Sequence, residues 1–129
     1  EQAVDFVLSC LPLMQGGETF VPILPSMNVG DLAEAIAPGV PRQTIGLRSG
    51  EKLHEVLVSA DEAPRTRRYW GAPHVMLASK YIILPVDPTW PTDFTRIGDP
   101  VGDGFEFSSR ATLTQLSIDQ MRQMLEGVP

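Results

Sequence analysis

The chain of 129 residues is 43% apolar and 20% charged, which is the composition of a globular protein and not of a disordered one. Ten lysines and arginines against sixteen acidic residues give a net charge of −6, so the sequence excludes a broad basic surface for nucleic acid. A single cysteine excludes an internal disulfide and a cysteine-rich zinc site. The length predicts one small domain. No apolar run is long enough to cross a membrane, and we expect a cytoplasmic chain.

The hydrophobic pattern predicts short helices interspersed with short strands. Twelve prolines and eleven glycines favour a loop-rich domain. In chain order we expect a helix over 2–14, a strand over 18–22, a helix over 31–38, a strand over 44–47, a helix over 51–59, a weak strand over 67–70, a strand over 80–85, a long loop over 86–104 and a helix over 117–125. This mixed order predicts the α/β class, with the character of an α+β subdomain.

Polar residues predict where two of these helices begin. Asp31 lies in the N-cap position of its helix, and Glu34 follows three residues later. Ser117 and Gln120 have the same spacing, which is that of a capping box, in which each residue bonds the other's backbone N–H.

The segment 45–55 contains the strongest candidate for a binding site. The predicted strand brings Arg48 to its end, Gly50 permits a sharp turn, and the predicted helix begins at Glu51 or Lys52. An arginine beside a helix start suits a diphosphate, because its guanidinium binds two oxygens and the free N–H groups of the helix add positive potential. Glu51 is then a candidate partner for ribose hydroxyls. The structural alternative is that Glu51 caps its own helix and Arg48 pairs with a carboxylate.

This segment also resembles a family motif. Residues 46–55 read GLRSGEKLHE, which resembles the G-x-R-P-G-E-K-x-H-E stretch of bacterial nucleotide-sugar dehydratases and epimerases. The resemblance is greatest to the inverting UDP-N-acetylglucosamine 4,6-dehydratases of the extended short-chain dehydrogenase/reductase superfamily. Further segments that resemble this family are EQAVDFV over 1–7, GGETFVPILPSM over 16–27, DLAEAIAP over 31–38 and FEFSS over 105–109.

The chain departs from the family pattern at four positions. Ser49 stands where the family has proline, which loosens the turn after Arg48. Ile23 and Asn28 replace lysines, and Arg110 stands where an aspartate is usual.

Two family elements are missing from the sequence. It contains neither a glycine-rich fingerprint for a dinucleotide nor a Tyr-x-x-x-Lys pair. In the family these elements hold NADP and move protons. The resemblance therefore implies that residues 1–129 are the C-terminal substrate-binding region of a longer enzyme, with the Rossmann core absent. It implies NADP in a homo-oligomeric full-length parent, no cofactor on this chain alone, and no catalytic residue in it.

The resemblance also implies the reaction of the full-length parent. That enzyme, a lyase, oxidises the sugar of UDP-N-acetylglucosamine at C4 with NADP, eliminates water across C5–C6 and returns hydride to C6, in surface polysaccharide biosynthesis. In this scheme Arg48 grips the diphosphate and Glu51 meets the ribose of the UDP-sugar, while the chain alone is inactive. The alternative is a stand-alone, non-catalytic module that binds a nucleotide-sugar or a protein partner.

The remaining candidates have structural interpretations that we favour. His54 and Glu51 lie three residues apart, but the sequence offers no third metal ligand, so we predict no metal site. Cys10 is expected to be a buried, inert thiol. His74 has no local partner in the sequence. Trp70 and Trp90 are interpreted as aromatics at the edge of the core, or as a stacking surface for uracil. Ser108 and Ser109 are interpreted as turn residues, or as donors to a phosphate.

Overall fold

The computed structural model describes residues 2–71, 78–87, 93 and 97–127. Within these residues the helices are α1 (Gln2–Cys10), α2 (Val29–Ile36) and α3 (Ile118–Glu126), with 3-10 helices at Leu11–Leu13 and Ala60–Arg65. The strands are β1 (Thr19–Pro22), β2 (Val56–Val58), β3 (Thr66–Tyr69), β4 (Lys80–Ile83), β5 (Asp99–Pro100) and β6 (Phe107–Ser108). The mixture of helix and strand confirms the α/β class.

The chain divides into two compact units. The first unit consists of residues 1–24 and 57–107, and the second of residues 25–56 and 108–129. Each unit is built from two separate pieces of chain. Length and composition do not reveal such a division, because it depends on which distant segments pair.

The first unit is organised around a four-stranded antiparallel sheet with the strand order β1-β4-β3-β5. All four residues of β4 are buried, which is expected of a strand with neighbours on both sides. Successive side chains of a strand point to opposite faces, so Tyr81 and Ile83 join one apolar cluster while Ile82 and Leu84 join another. The predicted strand over 80–85 and the weak strand over 67–70 are confirmed, and the structure pairs them with each other.

Helix α1 buries only one of its faces in the first unit. Cys10 is 5% exposed, and Leu13 of the following 3-10 helix packs on the cluster of Ile82. The opposite face is apolar too, and it is exposed at Val4 (61%), Val7 (57%), Leu8 (56%) and Leu11 (55%). The predicted helix over 2–14 is therefore confirmed, with its last turn in 3-10 form. The predicted burial of the Cys10 thiol is confirmed as well.

The second unit is held together by α2 and α3, which pack against each other. Ala35 and Met121 are their buried residues. The capping box of Ser117 and Gln120 at the start of α3 is confirmed. The prediction of Asp31 as N-cap of α2 is wrong, since Asn28 accepts the backbone N–H groups of Gly30 and Asp31 instead.

Two further predictions fail in the segment that precedes β2. Residues 44–47 form no strand, and residues 51–55 form no helix. Apolar residues of the predicted helix, Val56 to Val58, form β2 instead, and β2 pairs with β6. Pairing with a distant strand has overridden the local spacing, as is common for short apolar runs.

Candidate functional site

Arg48 and Glu51 close a tight turn at the centre of the family-like motif. The backbone N–H of Glu51 donates to the carbonyl oxygen of Arg48 at 3.1 Å, and Gly50 between them has a φ of +89°. A positive φ at the third residue of a turn is the requirement of a type II turn, which glycine meets without strain. The Oε2 atom of Glu51 also accepts the backbone N–H of Arg48 at 2.8 Å. The motif is therefore a self-closed loop and not the start of a helix.

This geometry corrects part of the reasoning for an anion site. Because residues 51–55 are not helical, the helix N-terminus that was expected to follow Arg48 and add positive potential does not form. Neither structural alternative holds as stated, since Glu51 caps a turn rather than a helix. The Arg48 residue is exposed, and no carboxylate in the described part of the chain pairs with its guanidinium. Among the described residues, the guanidinium of Arg48 is therefore not committed to an ion pair.

Ser109 contacts the other end of the motif. Its backbone N–H donates to the carbonyl oxygen of Glu55 at 2.8 Å, and its Oγ accepts the N–H of Glu55 at 3.1 Å. The same Oγ lies 3.4 Å from Nδ1 of His54. The structure thus joins the motif at 46–55 to the late FEFSS segment, which sequence reasoning did not connect. Fifty-four residues separate Glu55 from Ser109, so no local spacing signals this contact.

Ser108 differs sharply from its neighbour. It is 2% exposed, and its hydroxyl has no hydrogen-bond partner among the described residues. Ser109 is exposed, and its hydroxyl is bonded. The interpretation of Ser108 as a turn residue is therefore wrong, because Ser108 lies in β6.

An ion pair lies before the motif in the second unit. The guanidinium of Arg42 pairs with the Glu34 carboxylate, which also accepts the backbone N–H of Gly39 at 3.3 Å. The hydrogen bond from Arg42 holds the pKa of Glu34 below its ordinary value, so this carboxylate stays ionised. The pair neutralises Arg42, whereas no described carboxylate pairs with Arg48.

The remaining candidates have different surroundings. Trp70 of the first unit is 58% exposed, and the Arg68 guanidinium lies 5.5 Å from its ring centroid. His54 has its contact with Ser109, and no group of three metal-binding side chains occurs among the described residues. His74 and Trp90 lie outside those residues. None of the helices that can be described has the length and hydrophobicity needed to cross a bilayer.

The chain is similar to proteins whose activity is named. It is 38% identical over 109 residues to a UDP-N-acetylglucosamine 4,6-dehydratase (inverting) of Campylobacter jejuni subsp. jejuni serotype O:2. It is 38% identical over 113 residues to a protein of the same name from serotype O:23/36. In both comparisons the match covers 84% of this chain and 32% of the relative, so the chain spans about a third of the relatives' length.

The matched region also contains the motif described above. Residues 1–76, which include the loop of Arg48 and Glu51, match a family described as polysaccharide biosynthesis protein. This match covers more than half of the chain, and the 38% identity to the two Campylobacter jejuni proteins agrees with it. The chain belongs to the polysaccharide biosynthesis protein family.

Proposed function

We propose that this chain is the substrate-binding part of a nucleotide-sugar 4,6-dehydratase that acts on UDP-N-acetylglucosamine in polysaccharide biosynthesis. The observation that carries the proposal is the 38% identity, over 84% of the chain, to proteins of that name. Since the chain spans about a third of their length, the activity belongs in this proposal to a longer protein, a homo-oligomeric lyase.

The proposed role of Arg48 is to bind the diphosphate of the UDP-sugar. Arg48 is exposed, and its guanidinium has no described carboxylate partner. Binding an anion therefore does not require an existing ion pair to break. The two-pronged guanidinium matches pairs of phosphate oxygens better than a lysine ammonium does. Because the turn from Arg48 to Glu51 is closed by two hydrogen bonds, the backbone under the guanidinium is already ordered before binding.

Glu51 has two roles in this proposal. One carboxylate oxygen, Oε2, closes the turn under Arg48. The carboxylate retains acceptor capacity for the hydroxyls of a ribose. The chain then binds and orients the substrate, while the chemical steps belong to the rest of the enzyme.

NADP does not fit the described residues of this chain. A dinucleotide pyrophosphate is held by a parallel strand–turn–helix unit with a glycine-rich turn, whereas the four-stranded sheet here is antiparallel. We therefore propose no cofactor contact for this chain and assign NADP to the remainder of the longer protein.

The test measures UDP binding by calorimetry. The chain is joined to the part of the Campylobacter jejuni relative that it does not cover, because the isolated chain supplies only part of the site. We expect Arg48→Ala to weaken binding roughly ten- to hundredfold, the loss of a hydrogen bond to a charged group. Arg48→Lys recovers part of this loss, and Glu51→Gln costs less than Arg48→Ala, since it keeps an acceptor.

Arg122→Ala is the matched control, because it removes an arginine of the second unit that already pairs with Asp119. Its affinity for UDP should equal that of the parent. If Arg48→Ala binds UDP as tightly as the parent while its fold is intact, the proposed diphosphate role is wrong. UDP binding by the 129-residue chain alone, at the affinity of the fused protein, would instead favour a stand-alone binding module.

A further inference from the structure

The loop that carries Arg48 and Glu51 has few attachments. Residues 43–55 are exposed throughout and form no helix or strand. Among the described residues, every hydrogen bond between this segment and the rest of the chain involves Ser109, which contacts the backbone of Glu55 and the ring of His54. The turn of Arg48 and Glu51 is bonded only within itself.

Ser109 bonds Glu55 twice, once through its backbone and once through its side chain. The backbone N–H bonds the carbonyl oxygen of Glu55, as any residue at this position can. The hydroxyl adds a second bond, to the N–H of Glu55 at 3.1 Å, and approaches His54 at 3.4 Å. The hydroxyl is therefore the group by which a side chain of residue 109 fixes the loop end.

We infer that Ser109 is a positioning residue for substrate binding, which acts through Arg48 by holding the end of the loop. This inference rests on the proposed function, because it needs Arg48 to bind the diphosphate. A loop that is anchored at Glu55 and closed at Glu51 has fewer conformations to lose when UDP binds. Without the hydroxyl, the guanidinium samples more positions, and the affinity for the diphosphate falls.

Ser108 provides a matched control next to the tested residue. Its hydroxyl is buried and has no partner in the described part of the chain, so Ser108→Ala removes a polar group without breaking a described hydrogen bond. We expect this variant to keep the loop and the affinity for UDP unchanged. Ser109→Thr keeps a hydroxyl at the same position, so it should retain most of the parent's affinity.

The first measurement needs no ligand. Backbone order parameters of Gly46 and Gly50, measured by NMR on the 129-residue chain, should fall in Ser109→Ala and stay unchanged in Ser108→Ala. Unchanged order parameters in Ser109→Ala would overturn the inference, whatever the chain binds.

The second measurement is UDP calorimetry on the fused protein. We expect Ser109→Ala to weaken binding about two- to tenfold, the range of one neutral hydrogen bond. In the Arg48→Ala background the same substitution should cost nothing further, because a residue that acts through Arg48 has no effect without it. A purely structural role would give additive losses. If Arg48→Ala weakens UDP binding and Ser109→Ala does not, only the inference about Ser109 is wrong. If neither substitution weakens binding, the proposed function is wrong, and so is the inference that rests on it.

Discussion

The Lys80 ammonium donates a hydrogen bond of 2.6 Å to the Ser9 hydroxyl although Lys80 is only 1% exposed. No carboxylate of the described chain pairs with this lysine, and its other neighbours are the sulfur of Cys10 at 3.6 Å and the rings of Phe6 and Tyr69, with centroids at 5.1 and 6.0 Å. A buried ammonium depends on such partners, since it has lost its hydration. Ser9 is therefore more important than an ordinary helix serine, because it ties α1 to β4 by satisfying a buried charge.

We expect Ser9→Ala to lower the free energy of unfolding by about 1.5–3 kcal/mol, the range for a hydrogen bond to a charged group. Lys80→Met should cost less than Ser9→Ala, because it removes the buried charge itself and keeps the volume apolar. In the Lys80→Met background, Ser9→Ala should then cost little. Urea unfolding of the four proteins gives the coupling, and equal costs of Ser9→Ala in both backgrounds would contradict this account.

Gly98 and Gly104 form a natural pair for testing close backbone approach in the first unit. Both have a positive φ, of +69° and +70°, so alanine at either position costs about 1–2 kcal/mol for the left-handed conformation. A Cβ at Gly104 would meet nothing within 4 Å, whereas one at Gly98 would lie 2.4 Å from the carbonyl oxygen of Arg68. We expect Gly98→Ala to lower the unfolding free energy by clearly more than Gly104→Ala, as measured by thermal and urea unfolding. Equal losses would mean that the approach of Gly98 to β3 relaxes at no cost.

Glu62 makes stability depend on acid pH. The backbone N–H of Ser59, followed by its hydroxyl, holds the pKa of Glu62 below its ordinary value of 4.5. A group with a lowered pKa in the folded state contributes stability above its unfolded pKa, and this contribution is lost as the pH falls through the folded pKa. We expect Glu62→Gln, which cannot titrate, to lose less stability than the parent as the pH falls below 4.5. Parallel stability curves for the two proteins in that range would contradict the prediction.

The exposed apolar face of α1 predicts self-association of the 129-residue chain. A helix that is apolar on both faces is usually covered on both, and here Val4, Val7, Leu8 and Leu11 are more than half exposed. We expect concentration-dependent association in sedimentation velocity, and less of it after Leu8→Lys. Ile36→Lys is the control, since Ile36 of α2 is exposed to 62%. A strict monomer across the concentration range would show that the face tolerates water.

The sequence predicted the elements whose signals are local. Strand β4 was recognisable from a run of large apolar residues, and α3 from the capping box at Ser117. The start of α2 was misread because Glu34 follows Asp31 at capping-box spacing. The structure uses Glu34 for the ion pair with Arg42, and it is Asn28 that caps the helix.

The roles of the candidate site residues stay a prediction, and the backbone around them was not predictable from the sequence. Arg48 and Glu51 were recognised from the motif, and Gly50 was correctly interpreted as a turn residue. The helix expected after them is absent because Val56–Val58 pairs with Phe107–Ser108, and that partner lies about fifty residues away. The contact of Ser109 with Glu55 likewise joins two segments that are distant along the chain. Both features depend on which distant segments pair, and the spacing of residues along the chain does not show that.

The distance along the chain between Glu55 and Ser109 has a consequence for the order of synthesis. The Arg48 turn can close as soon as its four residues leave the ribosome, since both of its hydrogen bonds are local. Ser109, which anchors the loop end, is synthesised 54 residues after Glu55, which at about 5–20 residues per second takes roughly 3–11 s. During that interval the nascent chain exposes an arginine loop whose far end is free, so a co-translational chaperone or protease meets the loop before Ser109 can hold it.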